Sequence, residues 1–299
     1  KAIAIEMVFP SFTQKHHTTP YPAINPSLPA LSAAGKVILI TGGGSGIGPH
    51  IANAFALAGS RKITILGRTR STLDKTKATL ESTYPGIKVL VFVADIANVS
   101  AVNAAFNGTK DAFGPIDIFV ANAAYLPEPV KVKDTDVEDF MQGLNTNVKG
   151  SLITTQAFLA TAALSDAVLI HVTTGAVHLS SLANYSGYQT SKLAALKFFE
   201  VVQAENPHIR VMNVHPGYIP TDMNVKAAAG GIDSDGSTPF DDIDLAGYFM
   251  VWAASAEAAF LKGKLIWSNW DVEELKERRE ELEGSQKLTM VLDGWPRSS

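Results

Sequence analysis

From Lys36 onward the chain alternates short apolar runs with longer stretches of helical spacing, and this rhythm limits the possible folds more than any other feature. Val37-Ile38-Leu39-Ile40, Ile63-Thr64-Ile65-Leu66 and Val89-Leu90-Val91-Phe92-Val93 read as strands, with helices predicted over His50 to Leu57 and Thr72 to Thr83 between them. Ile116-Asp117-Ile118-Phe119-Val120, Val168-Leu169-Ile170-His171-Val172 and Ile209-Arg210-Val211-Met212-Asn213 continue the series. Near-continuous apolar strands are buried on both faces, and helices of this length between them serve as crossovers. The expected class is α/β, a single doubly wound parallel sheet with helices on both faces. With 299 residues, 46 % of them hydrophobic, the chain can bury one large core, and no internal repeat or linker divides it.

The ends depart from that rhythm. Residues 1–34 read as an extended arm, rich in proline from Pro10 through Pro20, Pro22, Pro26 and Pro29. The expected catalytic unit is 35–272, followed by a charged helical tail, 273–299. The charged stretch from Val272 to Glu283 suits either a solvated helix or one docked on a neighbouring subunit. Met223 to Ile243, with Gly230-Gly231, Gly236 and Pro239, reads as a mobile loop or lid. A net charge of −4 and a pI near 6.0 argue against a nucleic-acid or anionic-membrane partner. Zero cysteines exclude disulfides, thiolate metal sites and cysteine nucleophiles. No apolar run approaches the ~20 residues needed to cross a bilayer. Lys1 to Phe9 has too short an apolar core for a signal peptide, Met7 is a candidate native start, and Arg297-Ser298-Ser299 matches no address signal. A cytoplasmic protein is expected. The histidines, including His16-His17, His171, His178 and His215, follow no ligand spacing, so no metal is expected.

Three segments carry chemistry. Thr41-Gly42-Gly43-Gly44-Ser45-Gly46-Ile47-Gly48 lies between the first strand and the first helix. Residues without side chains let a backbone approach a pyrophosphate, which then sits at the positive end of the helix, the Rossmann-like arrangement. Pro49 suits an early helical position, where its missing N–H costs least. After the second strand, Gly67-Arg68-Thr69-Arg70 stands where an acidic residue would accept from a ribose 2′-hydroxyl. Arg68 can instead pair with a 2′-phosphate, so NADP(H) is expected over NAD(H). Tyr188 and Lys192, in Tyr188-Gln189-Thr190-Ser191-Lys192, share one helix face a turn apart. A phenol titrates near ~10 in water, and a lysine charge beside it favours the phenolate.

Together these segments resemble the classical short-chain dehydrogenase/reductase family, from about Lys36 to Asp271. The glycine loop Thr41 to Gly48 is similar to the family's T-G-x-x-x-G-x-G. Asp95, after the third strand and beside Ile96, matches the residue that contacts the adenine. Asn122-Ala123-Ala124 resembles N-N-A-G, with Ala121 in place of its first asparagine and Ala124 in place of its glycine. Asn147 in Asn147-Val148-Lys149-Gly150 matches the catalytic asparagine, and Tyr188 and Lys192 match Y-x-x-x-K. Pro216-Gly217, with Ile219 and Thr221 following, resembles the loop that closes on the nicotinamide. Ser255 to Lys264 looks like the late helix and turn into the last strand. Two departures stand out. The catalytic serine is replaced by Thr174, fourteen residues before Tyr188 and one farther than the usual spacing, and the terminal glycine pair is replaced by Asn269-Trp270-Asp271.

The resemblance implies a division of labour. Lys192 binds the nicotinamide ribose and lowers the pKa of Tyr188, and Tyr188 is the acid/base for a carbonyl or alcohol. Thr174 hydrogen-bonds the same oxygen, and Asn147 holds a water linking Lys192 to solvent. Gly42, Ser45, Gly46, Ile47, Gly48, Arg68, Asp95, Ile96, Asn122, Ala123, Lys192, Pro216, Gly217, Ile219 and Thr221 are the implied coenzyme contacts. A small or medium apolar carbonyl/alcohol substrate is expected, in a pocket drawing on Tyr125, Leu126, Tyr185, Tyr218 and the 223–243 segment. By analogy the protein is a homodimer or homotetramer. The rivals are non-redox chemistry on the same fold (isomerase, dehydratase or cyclase) and a non-catalytic dinucleotide sensor.

Overall fold

The apolar runs form seven strands: β1 Val37–Thr41, β2 Lys62–Gly67, β3 Lys88–Val93, β4 Ile118–Ala121, β5 Val168–Val172, β6 Arg210–His215 and β7 Leu265–Trp267. In the computed structural model, which describes residues 11–231 and 238–293, every strand pair is parallel, in the order β3-β2-β1-β4-β5-β6-β7. The helices are α1 Gly48–Leu57, α2 Arg70–Thr83, α3 Val99–Phe113, α4 Val137–Leu144, α5 Gly150–Thr161, α6 Ser186–Glu205, α7 Asp222–Ala229, α8 Ile243–Ala254, α9 Val272–Glu277 and α10 Arg279–Leu282.

Strand periodicity assigns side chains to two cores. Ile38 and Ile40 of β1 pack with Ile51 and Phe55 of α1, Leu73 of α2 and Phe249 of α8. Val37 and Leu39 point the other way, to the cluster holding Phe106 of α3, Phe158 of α5 and Phe199 of α6. The sheet is thus covered on both faces, as the sequence predicts. From β1 the chain winds outward through β2 to β3, then crosses back to β4 on the other side of β1. The strand order reverses there, and such a reversal opens a crevice beyond the carboxyl ends of the strands.

The segment expected to be a loop after Met223 instead begins as helix α7. Thr221 caps it by accepting from the Asn224 N–H (3.3 Å), and Asp222 complements the positive end of the helix. Ala227, Ala228 and Ala229 carry high helix propensity to its end. Residues 232–237 of that segment lie outside the described residues, as do 1–10 and 294–299, with Met7 and Arg297-Ser298-Ser299. Between α4 and α5, Asn145–Lys149 forms a π-helical turn within an otherwise continuous helix. Among the described residues, no helix is long and apolar enough to cross a membrane.

The arm and the charged tail pack on each other rather than standing free. The Gln14 and Lys15 N–H groups donate to the Glu274 carboxylate (2.6 and 3.0 Å), and the Arg278 guanidinium lies 3.6 Å from the centre of the Phe12 ring. The polar face of α9 hides an apolar one, with Val272 and Leu275 fully buried. Leu275→Ala should therefore cost about 2–4 kcal/mol in urea or guanidinium unfolding. A loss below about 0.5 kcal/mol, the size of a surface substitution, would contradict a docked tail.

Candidate active site

The crevice is built first by backbone contacts. A Cβ on Gly48 would lie 2.0 Å from the Gly42 carbonyl oxygen, so α1 approaches the end of β1 only because residue 48 has no side chain. Gly46 adopts φ +55°, in the left-handed region, where the loop turns into the helix. The Thr41 hydroxyl accepts the Asn122 and Ala123 N–H groups (3.0 and 3.1 Å), and Asn122 Nδ2 donates to the carbonyls of Thr41 and Gly42 (2.9 and 3.3 Å). These bonds hold the ends of β1 and β4 in register. Ile47, at the N-cap of α1, makes no side-chain capping bond, and the first turn of the helix faces the crevice with its positive end.

A cleft of about 470 Å³ runs from this loop along the carboxyl ends of the strands. Gly42, Ser45, Gly46, Ile47, Arg68, Asp95, Ile96, Asn122, Ala123, Tyr188, Lys192, Pro216 and Thr221 all line it. Gly48, Gly217 and Ile219 stand behind the wall, and so do Asn147 and Thr174. Arg68 is exposed at the end of β2 and makes no ion pair with any described residue. One Asp95 oxygen accepts the Ala97 N–H (2.8 Å), which fixes the carboxylate at the cleft edge.

At the other end α6 presents Tyr188 and Lys192. Lys192 Nζ donates to the Val172 carbonyl (2.8 Å), and burial pushes its pKa down to about 7. Burial pushes the Tyr188 phenol up to about 12, partly offset by the neighbouring Thr174 side chain, and the hydroxyl reaches Met223 Sδ (3.9 Å). Burial thus acts on Tyr188 in the direction opposite to the lowering that a neighbouring lysine charge would give. Asn147, 3 % exposed, accepts the Tyr125 N–H (2.8 Å) and donates to the Tyr125 carbonyl (2.8 Å) and Ser191 Oγ (2.9 Å). Both hydrogens of its side-chain amide are committed, so Asn147 braces α6 against the segment after β4.

Several wall residues had weaker signals. Tyr125 and Leu126 line the cleft, but Tyr185 is buried with its hydroxyl donating to the Ala227 carbonyl, and Tyr218 stacks on Phe240. Met223 and Lys226 of α7 complete the wall, and Lys226 Nζ reaches the Leu126 carbonyl (2.9 Å) and Glu128 (3.2 Å). The cap Thr221-x-x-Asn224 is the sequence signal that could have placed both on a helix. Thr173 also lines the cleft, with a buried hydroxyl that has no partner among the described residues. No group of three or more described histidines and carboxylates could hold a metal ion.

The family model described as short chain dehydrogenase matches residues 36–230. A short chain dehydrogenase/reductase of Claviceps purpurea is 32% identical over 255 residues, covering 84% of each chain. The short chain dehydrogenase/reductase nsrO of Aspergillus novofumigatus is 34% identical, covering 86% of this chain and 89% of that one. Among solved structures, a short chain dehydrogenase from Burkholderia cenocepacia in complex with NADP superposes with a TM-score of 0.71 at 24% identity, covering 80% of this chain and 98% of that one. An NAD+-bound xylitol dehydrogenase superposes with the same score at 25% identity, covering 78% and 97%.

The buried lysine has a measurable consequence. Its folded pKa, about 7, lies below the usual lysine value of 10.5, so between those values the unfolded state binds the extra proton. Stability therefore rises with pH across that window. Measured by denaturant unfolding, the wild type should gain stability relative to Lys192→Met from about pH 7 towards 10.5. A constant difference would show that Lys192 is not desolvated.

Proposed function

The chain belongs to the short-chain dehydrogenase/reductase family of NAD(P)-binding oxidoreductases, and from that premise we propose that it is an NADP(H)-dependent reductase interconverting a carbonyl and an alcohol. The observation that carries this reading is the convergence of Tyr188 and Lys192, with Thr174 behind them, at one end of a cleft whose other end holds the glycine loop and Arg68.

The residues fit a dinucleotide. A Cβ on Gly46 would project to within 3.6 Å of Thr221, narrowing the channel a pyrophosphate would occupy. The positive end of α1 suits the pyrophosphate charge, and Arg68 supplies a guanidinium for a 2′-phosphate. Asp95 would hold the adenine. When bound, the nicotinamide supplies or accepts the hydride.

The protein's own part is orientation and proton transfer. Tyr188 keeps its proton at neutral pH and so would donate it to the oxygen of a carbonyl becoming an alcohol. Thr174, close enough to Tyr188 to act on its phenol, would hydrogen-bond the same oxygen and stabilise its developing charge. Lys192, near half-protonation at neutral pH, would hold the ribose and return a proton to the tyrosine. Asn147 acts as a positioning residue through Tyr125 and Ser191. Leu126, Met223 and the ring of Tyr125 make the substrate end largely apolar, which favours a small or medium apolar substrate.

Oxidation of NADPH across a panel of ketones, aldehydes and quinones tests this reading. Tyr188→Phe should lower kcat by at least ~10²-fold while NADPH affinity stays within about twofold, a change below half a kcal/mol. Retained turnover would refute the acid/base role. Turnover by neither protein, despite tight NADPH binding, would favour a narrow substrate outside the panel or non-redox chemistry on the same fold. Arg68→Asp should weaken NADPH about tenfold or more with little effect on NADH, by loss of one charge-assisted phosphate contact. Tighter binding of NADH than NADPH by the wild type would defeat the coenzyme assignment.

A further inference from the structure

The loop from Pro216 to Thr221 joins β6 to α7, and a chain of hydrogen bonds holds it from behind. Gly217 has φ +98°, and a Cβ there would lie 2.5 Å from Asp241 Oδ2. Tyr218 donates its N–H to that oxygen (2.7 Å), and the Tyr218 carbonyl accepts from the Asp241 N–H (2.8 Å). Asn269 Nδ2 donates to the same Asp241 oxygen (2.9 Å) and to the His17 carbonyl (2.9 Å). The His17 N–H donates to the Asn269 carbonyl (2.7 Å), and the Asp242 N–H donates to the Thr18 carbonyl (2.7 Å). Asp241 is 7% exposed and Asn269 2%.

The arm is anchored in its turn. His17 Nε2 pairs with Asp271 Oδ2 (2.8 Å) and its ring stacks on Tyr21, 3.6 Å between centres. The Tyr21 hydroxyl donates to the Trp270 carbonyl and accepts the Val272 N–H, both at 3.0 Å. Segments near positions 17, 218, 241 and 269 therefore meet at one buried carboxylate. Burying a carboxylate is unfavourable unless donors satisfy it, and the donors here are the loop itself and Asn269.

We propose that Asp241 and Asn269 are positioning residues for the coenzyme, through which the N-terminal arm holds loop 216–221 against the nicotinamide end of the cleft. The inference rests on the function proposed above. Pro216 and Thr221 lie on the cleft wall, and the clasp grips the backbone between them. Without it the loop gains conformational freedom that coenzyme binding must remove, so affinity falls. The acid/base residues lie on α6 and just after β5, outside the loop, and meet its far side where the Tyr188 hydroxyl reaches Met223 Sδ of α7 (3.9 Å).

The test uses the full chain with Asp241→Ala, Asp241→Asn and Asn269→Ala, reading NADPH affinity by fluorescence titration and hydrogen exchange at the Tyr218 amide. Asp241→Ala and Asn269→Ala should each weaken NADPH about tenfold, the size of one hydrogen bond to a charged group, and speed that exchange. Asp241→Asn keeps an oxygen for both donors and should stay within about threefold. The pH profile of turnover should keep its shape in all three, which separates positioning from a general loss of fold. Unchanged affinity and exchange in Asn269→Ala, which leaves the Tyr218–Asp241 bond in place, would overturn the clasp even if Asp241→Ala failed to fold. Absence of NADPH binding by the wild type would overturn the function instead, and the exchange rates would still decide whether the arm holds the loop.

Discussion

The close approach of α1 to the backbone at the end of β1 is the contact on which the rest of the site depends. With a carbonyl oxygen 2.0 Å from where a Cβ would sit on Gly48, no other residue type fits there without moving the helix. That contact aims the positive end of α1 at the crevice opened by the reversal of strand order. The Thr41 hydroxyl then ties the start of the helix to β4, so the glycine loop and the segment carrying Asn122 and Tyr125 form one rigid rim. Downstream strands need only end level with that rim to deliver their residues: Thr173 and Thr174 after β5, Pro216 after β6.

The proposed acid/base end rests on a different balance. Tyr188 and Lys192 sit on a long helix whose buried face supplies the desolvation that moves their pKa values in opposite directions, the phenol up and the ammonium down. Opposing shifts leave the tyrosine protonated and the lysine able to exchange a proton near neutrality. Hydrogen bonds then fix geometry: Val172 holds the lysine, and Asn147 the turn between Tyr188 and Lys192 through Ser191. The π-helical turn that carries Asn147 lies where two halves of one helix would otherwise run straight past the site.

Much of this was legible in the residues. Strands such as Val37 to Ile40 announced themselves because a sheet buried on both faces needs continuous apolar runs, and Tyr188 and Lys192 because helical spacing aligns them. Its position after β2 alone puts the exposed Arg68 beside the cleft. What stayed hidden depends on contacts between distant segments. Asp241 lies in a stretch that reads as loop, and nothing local shows that its carboxylate will meet the amide of Tyr218 and the side chain of Asn269. Helix α7 was masked by the glycines that follow it, and its capping pair by the turn-like Pro220 before it. The proton balance of Tyr188 is hidden for a related reason: the proximity of a lysine is visible in sequence, whereas the depth of burial is set by the whole fold.

The most direct measurement is a crystal structure of the complex with NADP+. The account predicts the pyrophosphate over the N-terminus of α1, the 2′-phosphate against Arg68, and the nicotinamide between loop 216–221 and the Tyr188 hydroxyl. A dinucleotide bound with its nicotinamide away from Tyr188, or no binding along the carboxyl ends of β1 and β4, would contradict it.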